Sequence, residues 1–370
     1  MYVDCSDPDD FINAIRPHRP GPGQCMFVLV AKASMHLIDG IIEKANADRI
    51  PIAGGIFAAL IEGTTVHETG AIVQVFNVLA EPAIARIDGD APEWTVPLPD
   101  LPPCGKAPTC MILTDYSCLK IDDVLDELFN RHADEVNYFG AAAGTGVREP
   151  RPVIFTNQGR FTGSALVAYL ADEAEIGLRH GWSRLSEPMV ATRTKDNVLK
   201  ELNWEPAMGV YREIVGDDVA DSLRDQEDIP KAKRFPFGIA REGLEDVVRD
   251  PLVSTGDTDL TLLSNVPENS VLHVLKAETD KLIAAAGELG GSFAPRSAPA
   301  RCILFDCFSR VKLLGDQFDE ELCVFNAALQ SRVAGTRIEG VLASGEIASD
   351  GNRLPDMHNK TMAAALFHEL

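Results

Sequence analysis

The chain contains no uninterrupted run of about 18 apolar residues and no basic segment leading into an apolar stretch, so neither a membrane span nor a secretory leader is expected. It also lacks any cluster of basic residues. With 34 Lys and Arg against 56 Asp and Glu, the formal charge of −22 repels a nucleic-acid backbone or an anionic membrane surface. The eight cysteines, Cys5, Cys25, Cys104, Cys110, Cys118, Cys302, Cys307 and Cys323, include no CxxC pair. Several lie inside apolar runs, which fits reduced, buried thiols rather than a disulfide framework or a zinc knuckle. GxxxxGK[ST], GxSxG and HExxH are absent, which removes the usual signatures of P-loop, serine-hydrolase and zincin chemistry. A cytoplasmic protein with no nucleic-acid partner and no membrane insertion is the expectation.

What is present is ordinary globular composition, 45% hydrophobic and 24% charged, in a chain long enough for two domains. Cys25–Val30 has the length and composition of a strand, and Leu37 to Asn46 carries helical spacing through Leu37, Ile38, Ile41, Ile42 and Ala45. A Pro-Ile-Ala-Gly-Gly turn at 51–55 and a strand at Ala71–Phe76 follow. The order recurs in Cys110–Thr114, a helix over Ile121–Arg131, Val136–Gly140 with Ala141–Gly144, a strand and turn over Arg151–Gly159, and Ala165–Leu170. It recurs again in Cys302–Cys307, a helix over Asp316–Leu329, Val333–Gly335 and Thr361–Phe367. Leading cysteine and closing glycine pair as 25 with 54, 110 with 140 and 302 with 335, which predicts a degenerate internal repeat. Pro82, Pro92, Pro97, Pro99, Pro102, Pro103 and Pro108 make residues 81–109 a crossing loop or linker. Pro206 suits the start of a helix, and the acidic stretch 217–233 reads as solvated. The predicted fold class is α/β, with a two-part architecture, mixed sheets and degenerate internal βαβ-like repeats, divided into 1–180 and 181–370.

Candidate chemistry gathers in the C-terminal part. Cys307 and Arg310 follow a predicted strand directly, where α/β folds face ligand crevices. Arg310 can clamp a carboxylate or neutralise an internal acid such as Glu346, and Cys307 can be a packed thiol, a contact surface or a nucleophile. Glu346, His358 and Asn359 supply an acceptor, a titratable ring and a mixed donor–acceptor group, which serve a ligand or fix loops equally well. The Gly54-Gly55 and Gly140–Gly146 segments permit tight turns or bring backbone N–H groups to an anion.

Gly181-Trp182, Leu202–Ala207, Tyr211, Arg234–Gly238, Phe305–Arg310, Gly335, Gly345-Glu346 and His358–Thr361, taken in order, resemble the C region of the FIST family. Its N region is resembled over roughly Phe27 to Leu170, through Pro51–Gly55, Gly140–Gly144 and Gly163. The resemblance implies a FIST N-like domain at 1–180 and a FIST C-like ligand-binding domain at 181–370. It implies an intracellular small-ligand sensory protein acting through a separate partner, a kinase or a cyclic-nucleotide signalling protein. Ligands of the amino-acid type are often proposed for the family, and some relatives bind haem noncovalently as gas sensors. Where the family carries Cys-Ser-Thr-x-Gly-Glu, this chain has Gly55-Ile-Phe-Ala-Ala-Leu60, without hydroxyl or carboxylate. The ligand site is therefore expected at Cys307, Arg310, Glu346, His358 and Asn359. The alternative functions are a haem sensor with a His or Cys axial ligand, and a hydrolase or lyase using Cys307 or the Glu346/His358 pair.

Overall fold

The computed structural model describes residues 1–87, 89, 91–101, 107–118, 120–146, 148–224, 231–252, 258–349 and 354–368. Cys104 and part of the acidic stretch lie outside them. Among the described residues the strands form four sheets, and the architecture is mixed α/β.

Three of the sheets are built on one plan. In repeat I, the opening strand Gln24–Ala31 pairs parallel with a second strand, Ile52–Phe57, after the helix Ile38–Ala47, and antiparallel with a returning strand, Ala71–Asn77. Repeat II uses Thr109–Asp115, the helix Ile121–His132, Asn137–Ala143 and Ser164–Leu170 in the same roles. Repeat III uses Ala300–Cys307, the helices Phe308–Leu314 and Phe318–Arg332, Arg337–Ala343 and Met362–His368. Opening strands are buried on both faces: Cys302 and Leu304 pack among the repeat III helices, while Ile303 and Phe305 enter a core shared by all three repeats. That double burial is why they read as continuous apolar runs rather than alternating ones. The shared core centres on a stack of Phe57, Phe305 and Phe139, one ring from each repeat.

Each repeat also exports a hairpin to its neighbour. Ala59–Glu62 with Thr65–His67, from repeat I, extends the sheet of repeat III; Ile154–Thr156 with Gly159–Phe161, from repeat II, extends repeat I; Glu346–Ser349 with Pro355–His358, from repeat III, extends repeat II. The exchange closes a three-membered circuit, so no repeat completes its sheet alone. Residues 183–276 contribute the fourth sheet, which packs around its own core with the helix Ala207–Val215. The helix Thr279–Ser292 then lies on Phe318–Arg332.

The repeat expectation holds with two corrections. The 51–55 and 140–144 segments are not turns: Gly54 and Gly140 lie inside the second strands. The third equivalent glycine is Gly340, while Gly335 occupies a left-handed turn ahead of that strand. Strand register pairs Gly54 with Val28, Gly140 with Ile112 and Gly340 with Leu304. A Cβ at these glycines would stand 1.9, 1.8 and 1.9 Å from the carbonyl oxygens of Val28, Ile112 and Leu304. No side chain fits there, and the same demand recurs three times. The proline-rich connection is not wholly a loop: Ala83–Arg86 pairs with the returning strand of repeat II, and Glu93–Trp94 pairs at its edge.

Candidate functional site

A cavity of about 140 Å3 opens at the carboxyl ends of the parallel strands of repeats II and III, the position where α/β sheets receive ligands. Cys307, Ser309, Ser344, Asn359 and Lys360 come from repeat III, Tyr116 and Gly146 from repeat II, and Lys233, Asp250 and Leu263 from the inserted 183–276 region. The wall is therefore assembled from three separate parts of the fold.

Its most constrained element is the turn 359–361. Lys360 is fully buried and left-handed, with φ +58°, a conformation that costs a non-glycine residue of order 1 kcal/mol. The surroundings impose it. The Lys360 carbonyl accepts from Arg310 Nη1 at 3.1 Å and Trp182 Nε1 at 3.2 Å. Its N–H donates to Cys307 Sγ at 3.3 Å, and the next N–H, Thr361, donates to Glu346 Oε2 at 3.2 Å. The side chain lies over the Trp182 ring, with Nζ 5.5 Å from its centroid and 3.3 Å from Asp250 Oδ1. Asp250 Oδ2 accepts in turn from Lys233 Nζ at 2.8 Å. Burial holds the Lys360 ammonium below the usual lysine range, opposed by the Asp250 carboxylate.

The five residues expected from sequence separate into two groups. Cys307 and Asn359 line the cavity. Arg310, Glu346 and His358 are buried and absent from its lining. Arg310 spends its guanidinium on the interior: Nε donates to Glu321 Oε1 at 3.0 Å, Nη1 to the His180 carbonyl at 2.7 Å and Nη2 to the Leu282 carbonyl at 3.1 Å, with a second, closer contact from Nη2 to Glu321. Asp306 stands 3.7 Å from Arg310 Nε; burial, then the Glu321 charge, pushes its carboxyl well above the usual range. Burial likewise pushes the Glu346 carboxyl up to about 8, which keeps it largely protonated at neutral pH. Asn359 Nδ2 donates to the His358 carbonyl at 2.9 Å. Lys360, Lys233, Asp250 and Tyr116 escaped sequence reasoning, although Lys360 stood inside a quoted motif.

The internal repeat explains Cys307. Register makes it the counterpart of Asp115, and Lys360 the counterpart of Gly163, itself left-handed at φ +59°. In repeat II, Gly163 N–H donates to Asp115 Oδ2 at 2.7 Å, and Ser117 Oγ to Asp115 Oδ1 at 2.8 Å. In repeat III, Lys360 N–H donates to Cys307 Sγ, which lies 3.2 Å from Ser309 Oγ. Cys307 is thus the turn acceptor of its repeat. Burial pushes its thiol up to about 12, the reverse of what a thiolate nucleophile needs.

A haem does not fit this cavity: no histidine lines it, burial holds the lining Cys307 away from the thiolate that ligates iron, and the volume lies below the ~300–1,000 Å3 of sites that enclose drug-sized ligands. Among the described residues no group of three or more His, Cys, Asp or Glu could hold a metal ion, and no helix is long and apolar enough to cross a membrane.

Residues 24–205 match the family model described as FIST N domain, and residues 207–349 that described as FIST C domain. FIST domains are small-molecule sensory modules. No curated protein matches the chain.

Proposed function

This chain belongs to the FIST family, and from that premise we propose that it is a noncatalytic small-ligand sensor whose ligand occupies the cavity beside Lys360. The observation that carries the reading is the backbone at Lys360: a strained, buried lysine presented to a cavity by a turn that Arg310, Trp182, Cys307 and Glu346 all hold. In this reading Cys307 and Asn359 touch the ligand, whereas Arg310, Glu346 and His358 position the wall. The raised Cys307 thiol and the burial of Glu346 behind the wall favour binding over hydrolysis or elimination.

Sensing requires two states of different ligand affinity. The lining supplies a route, because Lys233, Asp250 and Leu263 belong to the inserted region and Ser344 and Lys360 to repeat III. A ligand that tightens both sides shifts one against the other, and a separate kinase or cyclic-nucleotide protein reads the shift.

The test is native mass spectrometry of the protein as purified and after incubation with small metabolites, repeated on Ser309→Trp, which fills the cavity from its half-exposed rim. A stoichiometric small-molecule mass is expected in the wild type and not in the variant. A bound mass retained unchanged by Ser309→Trp removes the ligand from this cavity.

A further inference from the structure

The charges on the cavity wall narrow the ligand class. Among the described lining residues are three lysines, Lys233, Lys312 and Lys360, and one carboxylate, Asp250. Lys312 is exposed at the rim, with Nζ 5.2 Å from the Phe308 ring centroid, and there it steers more than it binds. Lys360 is fully buried and Lys233 is mostly so. Both ammonium groups converge on Asp250, one on each oxygen, at 3.3 and 2.8 Å. Two lysines share one carboxylate in a partly desolvated site where burial disfavours the charged form of Lys360, and a further anion would restore that charge and complete the cluster.

Among the described residues, the carboxyl behind the turn does not supply that anion. Glu346 accepts from Thr361 N–H behind the wall, and burial keeps it largely protonated at neutral pH. Among the described residues Lys360 Nζ makes no hydrogen bond of good geometry; it has the longer ion pair with Asp250 and the face of the Trp182 ring. Phe308, Leu263 and Leu313 give the remaining wall an apolar side, suited to a short carbon chain.

Resting on the reading of this cavity as the ligand site, we propose that its ligand is a small carboxylic acid anion with no ammonium group, its carboxylate seated between Lys360 and Lys233. A zwitterionic amino acid would bring its ammonium into a wall already carrying excess positive charge. Among the described lining residues the carboxylate that could receive it, Asp250, is held by both lysines.

Acids matched to amino acids of the same skeleton test this: propionate with alanine, 4-methylvalerate with leucine, hydrocinnamate with phenylalanine and glutarate with glutamate, each measured by calorimetry on the full chain. At least one acid is expected to bind, about 10–100-fold tighter than its amino acid partner. Lys360→Met is expected to weaken that acid by a similar factor. Asp250→Asn, which removes the internal competitor, is expected to tighten it about 10-fold. If Lys360→Met fails to fold, Lys233→Met and Asp250→Asn carry the same opposed expectations. The proposal is overturned if an amino acid binds as tightly as its acid, if Asp250→Asn weakens the acid, or if none of the acids binds. A neutral or cationic mass displaced by Ser309→Trp would overturn the anion assignment alone and leave the sensory reading standing; acid binding indifferent to Ser309→Trp would overturn the placement of the site.

Discussion

Repeats II and III share a strand plan, and a handful of the side chains at which they differ make the site. Asp115 and Ser117 in repeat II hold the left-handed Gly163; Cys307 and Ser309 in repeat III hold the left-handed Lys360. Where repeat III buries Glu346, the exported hairpins of repeats I and II carry Leu60 and Ile154. Where it buries Asp306, repeats I and II have Val30 and Thr114. Arg310 and Glu321 complete the buried set. One copy of a closed three-part framework has thus gathered a cluster of buried ionisable groups where its counterparts carry Leu60, Ile154, Val30 and Thr114. Such a cluster seldom adds stability, because desolvation offsets the Coulombic gain, so repeat III is where function has been placed at the expense of packing.

The sharpest way to break the comparison is to attack what the repeats share. Gly54→Ala, Gly140→Ala and Gly340→Ala each force a Cβ into a backbone carbonyl, and each is expected to cost more than about 4 kcal/mol in denaturant unfolding, enough to unfold a domain of ordinary stability. A tolerated Gly340→Ala beside two unfolded counterparts would deny that repeat III keeps the same skeleton. Next in size is Arg310→Met, which strands the buried Glu321 and leaves the Asp306 carboxyl beside it without the guanidinium, and is expected to cost about 3–5 kcal/mol. A loss under about 1 kcal/mol would show that the interior network is dispensable and return Arg310 to direct ligand contact.

A smaller effect follows from Glu346. Its folded value of about 8 lies above the ordinary carboxylate value of 4.5, so the folded state holds the proton more tightly. The stability it contributes is fully present below pH 4.5 and is lost as pH rises through 8. His180, held near 4 by burial, works in the opposite sense between about 4 and 6.5. Asp122, raised to about 6, has finished its titration by pH 7. Between pH 7 and 8 the Glu346 contribution stands clear of both. Asp306 and Lys360 also carry shifts but remain in the variant, so the difference between wild type and Glu346→Gln isolates this carboxyl. The wild type is expected to lose on the order of 1 kcal/mol more than Glu346→Gln across that interval. Parallel stability curves for the two proteins would mean that Glu346 is ionised throughout.

Much of the skeleton was legible because doubly buried strands leave continuous apolar runs and their helices keep a 3.6-residue period. Leu37–Asn46 and Ile121–Arg131 fall within a residue or so of the observed helices. The hairpin exchange was not legible. Ile154–Thr156 is three residues long and pairs with Ile52–Phe57 about 100 residues away, and nothing local specifies such a partner. The site was legible as a set of positions and illegible as a set of roles. Arg310 and Glu346 are residue types that bind ligands at surfaces, but burial turned them to holding the chain. Lys360 was passed over because lysine is the residue least expected to be buried. One signal could have found it: aligned by repeat, it stands where repeat II has Gly163.

That alignment gives the smallest and most discriminating prediction. At Gly163 no heavy atom of the described residues lies within 4 Å of where a Cβ would sit, so Gly163→Ala tests the left-handed backbone free of steric clash. It is expected to cost about 1 kcal/mol in denaturant unfolding, with the slope of the transition unchanged. The same penalty then applies at Lys360, where the framework tolerates a lysine in a position suited to glycine. If Gly163→Ala is neutral, the conformation carries no strain, Lys360 needs no functional account, and the case for the cavity falls back on its charges alone.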